Sequence, residues 1–271
     1  MLNKIHTLKV VETNQLASDI YEIVLESPKT NTILPCQFYN LGLKNQGRPI
    51  LKRPISVSQV SDKGIHFVIK KLGAGTERLC NLVLGDEVMA VGPLGNGFNI
   101  EENLQTEKLL VIGGGIGTAP LLELAKVAKE SGKEVTAVLG YLNEAYLIES
   151  FKESSQKLRI CSMSNLINAD DINQINEIDQ FIGNALEGTV SLELDLNEYT
   201  IVACGPDIML HRIKDAFQDK AKELYLVTEE RMACGMGACL VCAKKIVQND
   251  EEKMVRTCIE GPVFLGREVQ F

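Results

Sequence analysis

Lys108-Leu109-Leu110-Val111-Ile112-Gly113-Gly114-Gly115-Ile116-Gly117-Thr118 is a short apolar run closed by a cluster of glycines. A run this brief, ended by glycine, reads as a buried strand. Residues 119–131 follow, with Leu121, Leu122, Leu124, Ala125, Val127 and Ala128 on a stripe of helical period, and Gly132 suits the helix end. Lys133-Glu134-Val135-Thr136-Ala137-Val138-Leu139 is the next strand. Strand, helix and strand in that order predict a parallel sheet. Tyr199-Thr200-Ile201-Val202-Ala203 adds another apolar strand, ending at Cys204-Gly205-Pro206, with a helix expected over 207–222.

Upstream the pattern is different. Ile20-Tyr21-Glu22-Ile23-Val24-Leu25, Gly64-Ile65-His66-Phe67-Val68-Ile69-Lys70 and Asp86-Glu87-Val88-Met89-Ala90-Val91 are short strand-forming runs. Gly73-Ala74-Gly75 and Gly92-Pro93 punctuate them as turns, which predicts a small antiparallel barrel. Residues 101–108 read as a polar linker. Residues 160–186 are polar and resist assignment, although Ile172, Ile175 and Ile178 have the spacing of a short amphipathic helix.

The 271 residues carry 28 basic and 36 acidic side chains, a net charge of −8. That balance argues against a grip on DNA or RNA phosphates. The charge-free run 109–122 has 14 residues, too few to span a bilayer, and the N-terminus lacks a signal-peptide pattern. A soluble, cytoplasmic chain is expected, in which eight cysteines need not form disulfides.

Four of those cysteines fall in one stretch, Cys234-x4-Cys239-x2-Cys242-x15-Cys258. Three thiolates in a tight loop and a fourth from a later segment is the plant-type ligand pattern for a 2Fe-2S cluster. Gly235 and Gly237 let the loop wrap a bulky group. A structural zinc ion is the alternative, although zinc sites favour paired short spacings. Cys36, Cys80 and Cys161 read as small buried hydrophobes, and Cys204 either packs in the core or approaches a ligand from a strand end.

Gly113, Gly114, Gly115 and Gly117 follow a strand and open a helix, where a dinucleotide pyrophosphate can meet exposed N–H groups. The strict G-x-G-x-x-G fingerprint fails because its third glycine falls on Thr118, so a glycine-rich packing turn stays open as a reading. Cys204, Gly205 and Pro206 repeat the same strand–turn–helix logic, and both turns would lie at carboxyl ends of parallel strands. Beyond the second strand, Glu144 stands where a ribose hydroxyl could be accepted and no Arg or Lys awaits a 2′-phosphate, a mild preference for NAD over NADP. In the first domain, the fork of Arg53 suits a diphosphate and Ser56 a flavin ring edge, with Gly75 and Thr76 offering a second backbone contact. A surface arginine and a tight turn are the plainer readings of those two pieces.

Arg53-Pro54-Ile55-Ser56, Gly92-Pro93-Leu94-Gly95-Asn96-Gly97-Phe98, Gly113-Gly114-Gly115-Ile116-Gly117, Cys204-Gly205-Pro206 and Glu229-Glu230-Arg231-Met232-Ala233-Cys234 together resemble the ferredoxin reductase superfamily. Within it the chain is most similar to the electron-transfer subunits of NAD-dependent (class 1B) dihydroorotate dehydrogenase, over nearly its whole length. The resemblance implies a multidomain β plus α/β fold. An antiparallel β-barrel FAD domain would span 1–100, a parallel-sheet NAD-binding α/β domain 101–225, and a small 2Fe-2S domain 226–271. It implies that Arg53, Pro54, Ile55, Ser56, Val68, Ile69, Lys70, Gly75 and Thr76 contact FAD, and that Cys234, Cys239, Cys242 and Cys258 hold the cluster. It further implies an FMN-containing catalytic partner in a heterotetramer of two plus two subunits, serving de novo pyrimidine (UMP) biosynthesis. Residues 160–187 depart from the family's Gly-rich pattern, and Gly188-Thr189-Val190 resembles its end.

A flavin exchanges one electron or two, so FAD belongs between a one-electron cluster and two-electron NAD. Electrons would run from the partner's FMN to the cluster, to FAD and to NAD⁺. No catalytic side chain is expected, and His6, His66 and His211 read as isolated histidines. Two rivals remain at this point. One is a flavin/iron–sulfur subunit of a hydrogenase or ferredoxin-type transhydrogenase, the other a zinc-stabilised nucleotide-binding regulator without turnover.

Overall fold

The computed structural model describes residues 5–27, 32–43, 51–163 and 178–271. They fall into two compact units, one formed by 1–98 with 229–263 and the other by 99–228 with 264–271.

The first unit is built on a closed six-stranded barrel. Its strands are β1 (Ile5–Ala17), β2 (Ile20–Leu25), β3 (Phe38–Leu43), β4 (Arg53–Ser61), β5 (Gly64–Lys70) and β6 (Glu87–Leu94), in the order β1-β2-β5-β4-β3-β6. All neighbours are antiparallel. Alternate residues point inward, so Ile65, Phe67 and Ile69 of β5 meet Ile23, Leu25, Tyr39, Leu41 and Val88 in the interior. Tyr39 and Phe67 pack edge to face, with ring centroids 5.6 Å apart. Two expectations change. Gly92-Pro93 does not end β6, which runs on to Leu94. Gly73 to Gly75 is not a simple turn either, because it opens a short helix, α1 (Ala74–Cys80), whose Leu79 drops into the barrel core.

His66 is not isolated. Its Nε2 lies 2.7 Å from Ser61 Oγ and its Nδ1 3.0 Å from Glu22 Oε1. Asn14 Nδ2 donates to both Glu22 and Glu12, and Glu12 accepts from Lys63 Nζ at 2.6 Å. The chain stitches β1, β2, β5 and the β4–β5 turn together on the outer wall.

The second unit begins with α2 (Ile100–Asn103), a single turn overlapping the start of the expected linker, capped by Asn99. β7 (Lys108–Gly114), α3 (Ala119–Glu130) and β8 (Glu134–Tyr141) realise the strand–helix–strand unit. There follow α4 (Ile148–Ser154), β9 (Lys157–Ser162), β10 (Asp179–Ile182), α5 (Ala185–Val190), β11 (Tyr199–Cys204), α6 (Asp207–Phe217) and β12 (Glu223–Val227). β7, β8, β9, β10, β11 and β12 pair in parallel. All six residues of β11 are buried, as expected of a strand covered on both faces. α6 stops well before Lys222, since Lys222 N–H turns to the carbonyls of Leu196 and Tyr199 and leads into β12. The divergent stretch supplies the end of β9, all of β10 and the start of α5. Residues Ile172 and Ile175 of the expected amphipathic helix lie outside the described residues.

The chain then returns to the first unit as a hairpin, β13 (Ala243–Gln248) and β14 (Glu251–Arg256). Its turn, Asn249-Asp250, has φ of 55° and 62°, the left-handed pair that a two-residue type I′ hairpin requires. Last comes β15 (Val263–Leu265), at the edge of the parallel sheet beside β12. Lys214 Nζ of α6 donates to the Val269 carbonyl at 2.6 Å and fastens the C-terminal tail. No helix among the described residues is long and apolar enough to cross a membrane.

Candidate functional site

The loop and the turn that carry the four clustered cysteines lie at one end of the barrel, where two of the thiols meet. Cys242 and Cys258 are 2% and 1% exposed and pack with Phe38 of β3, Val91 and Leu94 of β6, and Met232. Their sulfurs are 3.2 Å apart, the Cys242 thiol donating to Cys258. Cys234 is partly buried and Cys239 lies on the surface. The loop between them turns on Gly237, whose φ is 75°. A Cβ there would lie 2.8 Å from Ile259 Cγ1, so both conformation and space demand glycine.

The loop's backbone serves the sulfurs. Met236 N–H donates to Cys234 Sγ at 3.3 Å. Burial pushes the Cys234 thiol up, but N–H donors from Met236, Cys239 and Ala238 and the Cys239 thiol outweigh it and bring it down to about 7. Burial, and then the neighbouring Cys242 thiol, push Cys258 up to about 12. Among the described residues no three His, Cys, Asp or Glu side chains converge as around a single ion.

Four hydrogen bonds that the sequence did not reveal fasten this end to the barrel. Asn40, fully buried on β3, donates from Nδ2 to the Ala233 carbonyl at 3.3 Å. The turn after β6 holds the piece beyond Cys258. Gly95 N–H donates to the Cys258 carbonyl at 3.2 Å, Asn96 N–H to Gly261 at 2.7 Å, and Asn96 Nδ2 to Glu260 at 2.9 Å.

Arg53, Pro54, Ile55 and Ser56 open β4 as a half-buried strip paired with Leu41, Asn40, Tyr39 and Phe38. Arg53 Nη1 donates to the Leu51 carbonyl at 2.6 Å. The rest of its guanidinium lies across Gly75, where a Cβ would run into Nε, Cζ and Nη2. The structure therefore joins two pieces more than twenty residues apart into one cradle. The Thr76 hydroxyl accepts from the N–H groups of Leu72 and Gly73 and shapes the turn. Val68 and Ile69 are buried, Ile69 within the barrel core, and Lys70 reaches Asp19 at 3.4 Å.

In the second unit Gly113 and Gly114 end β7, Gly115 to Gly117 form a tight turn, and α3 begins behind Thr118. β11 lies beside β7, with Cys204 level with Gly113. A Cβ on Gly117 would be 2.6 Å from the Cys204 carbonyl group and from Gly205 N, so the two turns touch backbone to backbone. Met209 of α6 covers them, its Cε 2.7 Å from where a Gly205 Cβ would stand. Cys204 is buried, and Glu144 lies on the exposed loop after β8. Both turns sit at carboxyl ends of adjacent parallel strands, the usual place for a ligand in an open α/β sheet.

Residues 229–270 match the family model for the iron-sulfur cluster binding domain of dihydroorotate dehydrogenase B. A dihydroorotate dehydrogenase B (NAD(+)) electron transfer subunit from Clostridium perfringens is 35% identical over 267 residues, covering 97% of each chain. The chain belongs to this family. Another electron transfer subunit of the family, from Streptococcus pneumoniae strain R6, is 33% identical over 267 residues, covering 96% of each. Among solved structures, a chain of an NADH-dependent reduced ferredoxin-NADP oxidoreductase superposes with a TM-score of 0.78 at 26% identity, covering 98% of this chain and 90% of that one. Phthalate dioxygenase reductase shares the fold, with a TM-score of 0.57 at 14% identity over 97% and 98%. For this electron transfer subunit family member, the cysteine-bearing end thus falls inside the segment that carries the family model.

Proposed function

We propose that this chain passes electrons between an FMN-containing dihydroorotate dehydrogenase subunit and NAD, through its own 2Fe-2S cluster and FAD, in pyrimidine biosynthesis. The observation that carries the reading is the meeting of Cys242 and Cys258, sulfurs 3.2 Å apart at the barrel end, within the segment that matches the family's cluster-binding model. Relatives named for dihydroorotate dehydrogenase B over nearly the full chain favour it above the hydrogenase or transhydrogenase alternative.

When bound, FAD supplies the exchange between the two-electron nicotinamide and the one-electron cluster. The chain's own residues bind and orient. Arg53 meets the FAD diphosphate with the guanidinium that rests on Gly75, and Pro54, Ile55 and Ser56 line the flavin. Thr76 fixes the turn that brings Gly75 forward. Val68, Ile69 and Lys70 contribute as strand β5, with Ile69 acting through its main chain because its side chain is in the core. Gly113, Gly114, Gly115, Gly117, Cys204, Gly205 and Pro206 form the NAD site. Cys234, Cys239, Cys242 and Cys258 hold the cluster, and loop N–H groups steady the sulfur charge. In functional terms 1–100, 101–225 and 226–271 serve FAD, NAD and the cluster. We assign a cytoplasmic setting and a two-plus-two assembly with the catalytic subunit.

The purified chain should oxidise NADH with artificial acceptors, show flavin and iron–sulfur absorbance, and form orotate only with its partner. Orotate made by the chain alone, or a colourless preparation carrying zinc, overturns the reading.

A further inference from the structure

The cysteines come from two separate pieces of chain, the loop 234–242 and the turn at Cys258, and Arg256 touches both. It ends β14, two residues before Cys258. Its Nη1 donates to the Gly237 carbonyl, in the middle of the loop, at 3.2 Å. Its Nε donates to Glu260 Oε2 at 3.2 Å, its Nη2 to Glu260 Oε1, and its backbone N–H to Oε2 at 2.7 Å. Glu260 N–H returns a bond to the Arg256 carbonyl at 2.8 Å. The planar fork therefore gives one edge to a carboxylate and another group to the loop, which a lysine point charge cannot do. A half-exposed Arg–Glu pair four residues apart would by itself be worth little. The bond to Gly237 is what gives this one reach. The guanidinium lies against the cysteine loop, its Nη1 also 3.2 Å from where a Gly237 Cβ would stand.

We propose that Arg256 is a positioning residue for the iron–sulfur cluster, tying the three-cysteine loop at Gly237 to Glu260 beyond Cys258 and setting a positive charge against that loop. The inference rests on the cluster reading above. A cluster gains negative charge on reduction, so a nearby fixed cation favours the reduced form, and removing it lowers the potential.

The test uses the full chain purified anaerobically with its cofactors, comparing wild type with Arg256→Gln, Arg256→Lys and Glu260→Gln. Iron loss to a chelator is followed by visible absorbance, and the midpoint potential by redox titration with electron paramagnetic resonance. For Arg256→Gln, we expect unchanged flavin content, iron loss roughly tenfold faster or more, and a more negative potential. Arg256→Lys should restore most of the potential while still losing iron fast. Wild-type iron retention and an unmoved potential in Arg256→Gln overturn the proposal. If that variant does not fold, Glu260→Gln decides, since it leaves the cation but frees one edge of the fork: faster iron loss supports the tie and an unchanged rate overturns it. A wild-type chain without iron and sulfide overturns the cluster reading, and this inference with it.

Discussion

Gly117→Ala isolates the contact between the two turns of the parallel sheet. The added Cβ would stand 2.6 Å from the Cys204 carbonyl carbon and oxygen and from Gly205 N. Ordinary contact begins at 3.4 Å, so the turns must part by about 0.8 Å, and the obstructing atoms are backbone rather than a flexible side-chain end. Overpacking of this kind costs about 1–3 kcal/mol, and the upper half of that range applies where backbone must move. For a unit of this size, about 2–3 kcal/mol lowers the melting temperature by roughly 5–10 °C. If these turns hold NAD as proposed, displacement of about an ångström also costs roughly 10–100-fold in kcat/KM for NADH. Calorimetry and NADH oxidation with an artificial acceptor measure both, with flavin and iron content as internal controls expected to stay at wild-type levels. Gly115→Ala is the companion variant. It meets open space but has a φ of 55°, so its cost is only the left-handed penalty of about 1–2 kcal/mol. A Gly117→Ala protein as stable and as active as wild type would refute the reasoning.

Other outcomes follow from the same geometry. Gly75→Ala forces the Arg53 guanidinium away, and flavin retained per chain after gel filtration should fall several-fold, while Arg53→Ala should do the same without crowding the helix. Cys258→Ser should abolish stoichiometric iron and sulfide, whereas Cys161→Ala, far from the other thiols in sequence and buried beside Gly188, should leave both at wild-type content. Glu22 titrates low: burial raises it, but hydrogen bonds from His66 and Asn14 overcome that and hold it below its ordinary 4.5. A lowered folded value means that its stabilisation is present above about pH 4.5 and is lost as the pH falls through the folded value. Urea midpoints measured on acidification should therefore fall less steeply for Glu22→Gln than for wild type.

The parallel sheet was legible because β7, α3 and β8 each bury a pattern that only one period explains. Glycine turns at the strand ends then located both contact points. The cysteine loop was legible from spacing alone. Other elements were hidden for physical reasons. β1, Ile5–Ala17, mixes polar and apolar residues without clean alternation, since much of its outer face meets water. α1 starts on glycines, poor helix formers, and is held by Leu79 in the core rather than by local propensity. The Ser61–His66–Glu22 chain depends on which residues the barrel register places opposite one another. The same holds for Asn40 under Ala233 and Arg256 on Gly237, partners that only the closed fold brings within reach.

The chain passes from one compact unit to the other three times, after residues 98, 228 and 263. Such an interleaved route makes the iron–sulfur segment a poor cassette. Cutting at 228 to obtain a simpler flavin reductase would also delete β15, stripping the flank from β12 and baring a strand edge that invites aggregation. Gain or loss of the metal-bearing piece by simple terminal fusion or trimming is therefore costly in this architecture, and the last eight residues act as a clasp that commits the polypeptide to keeping all of its redox parts.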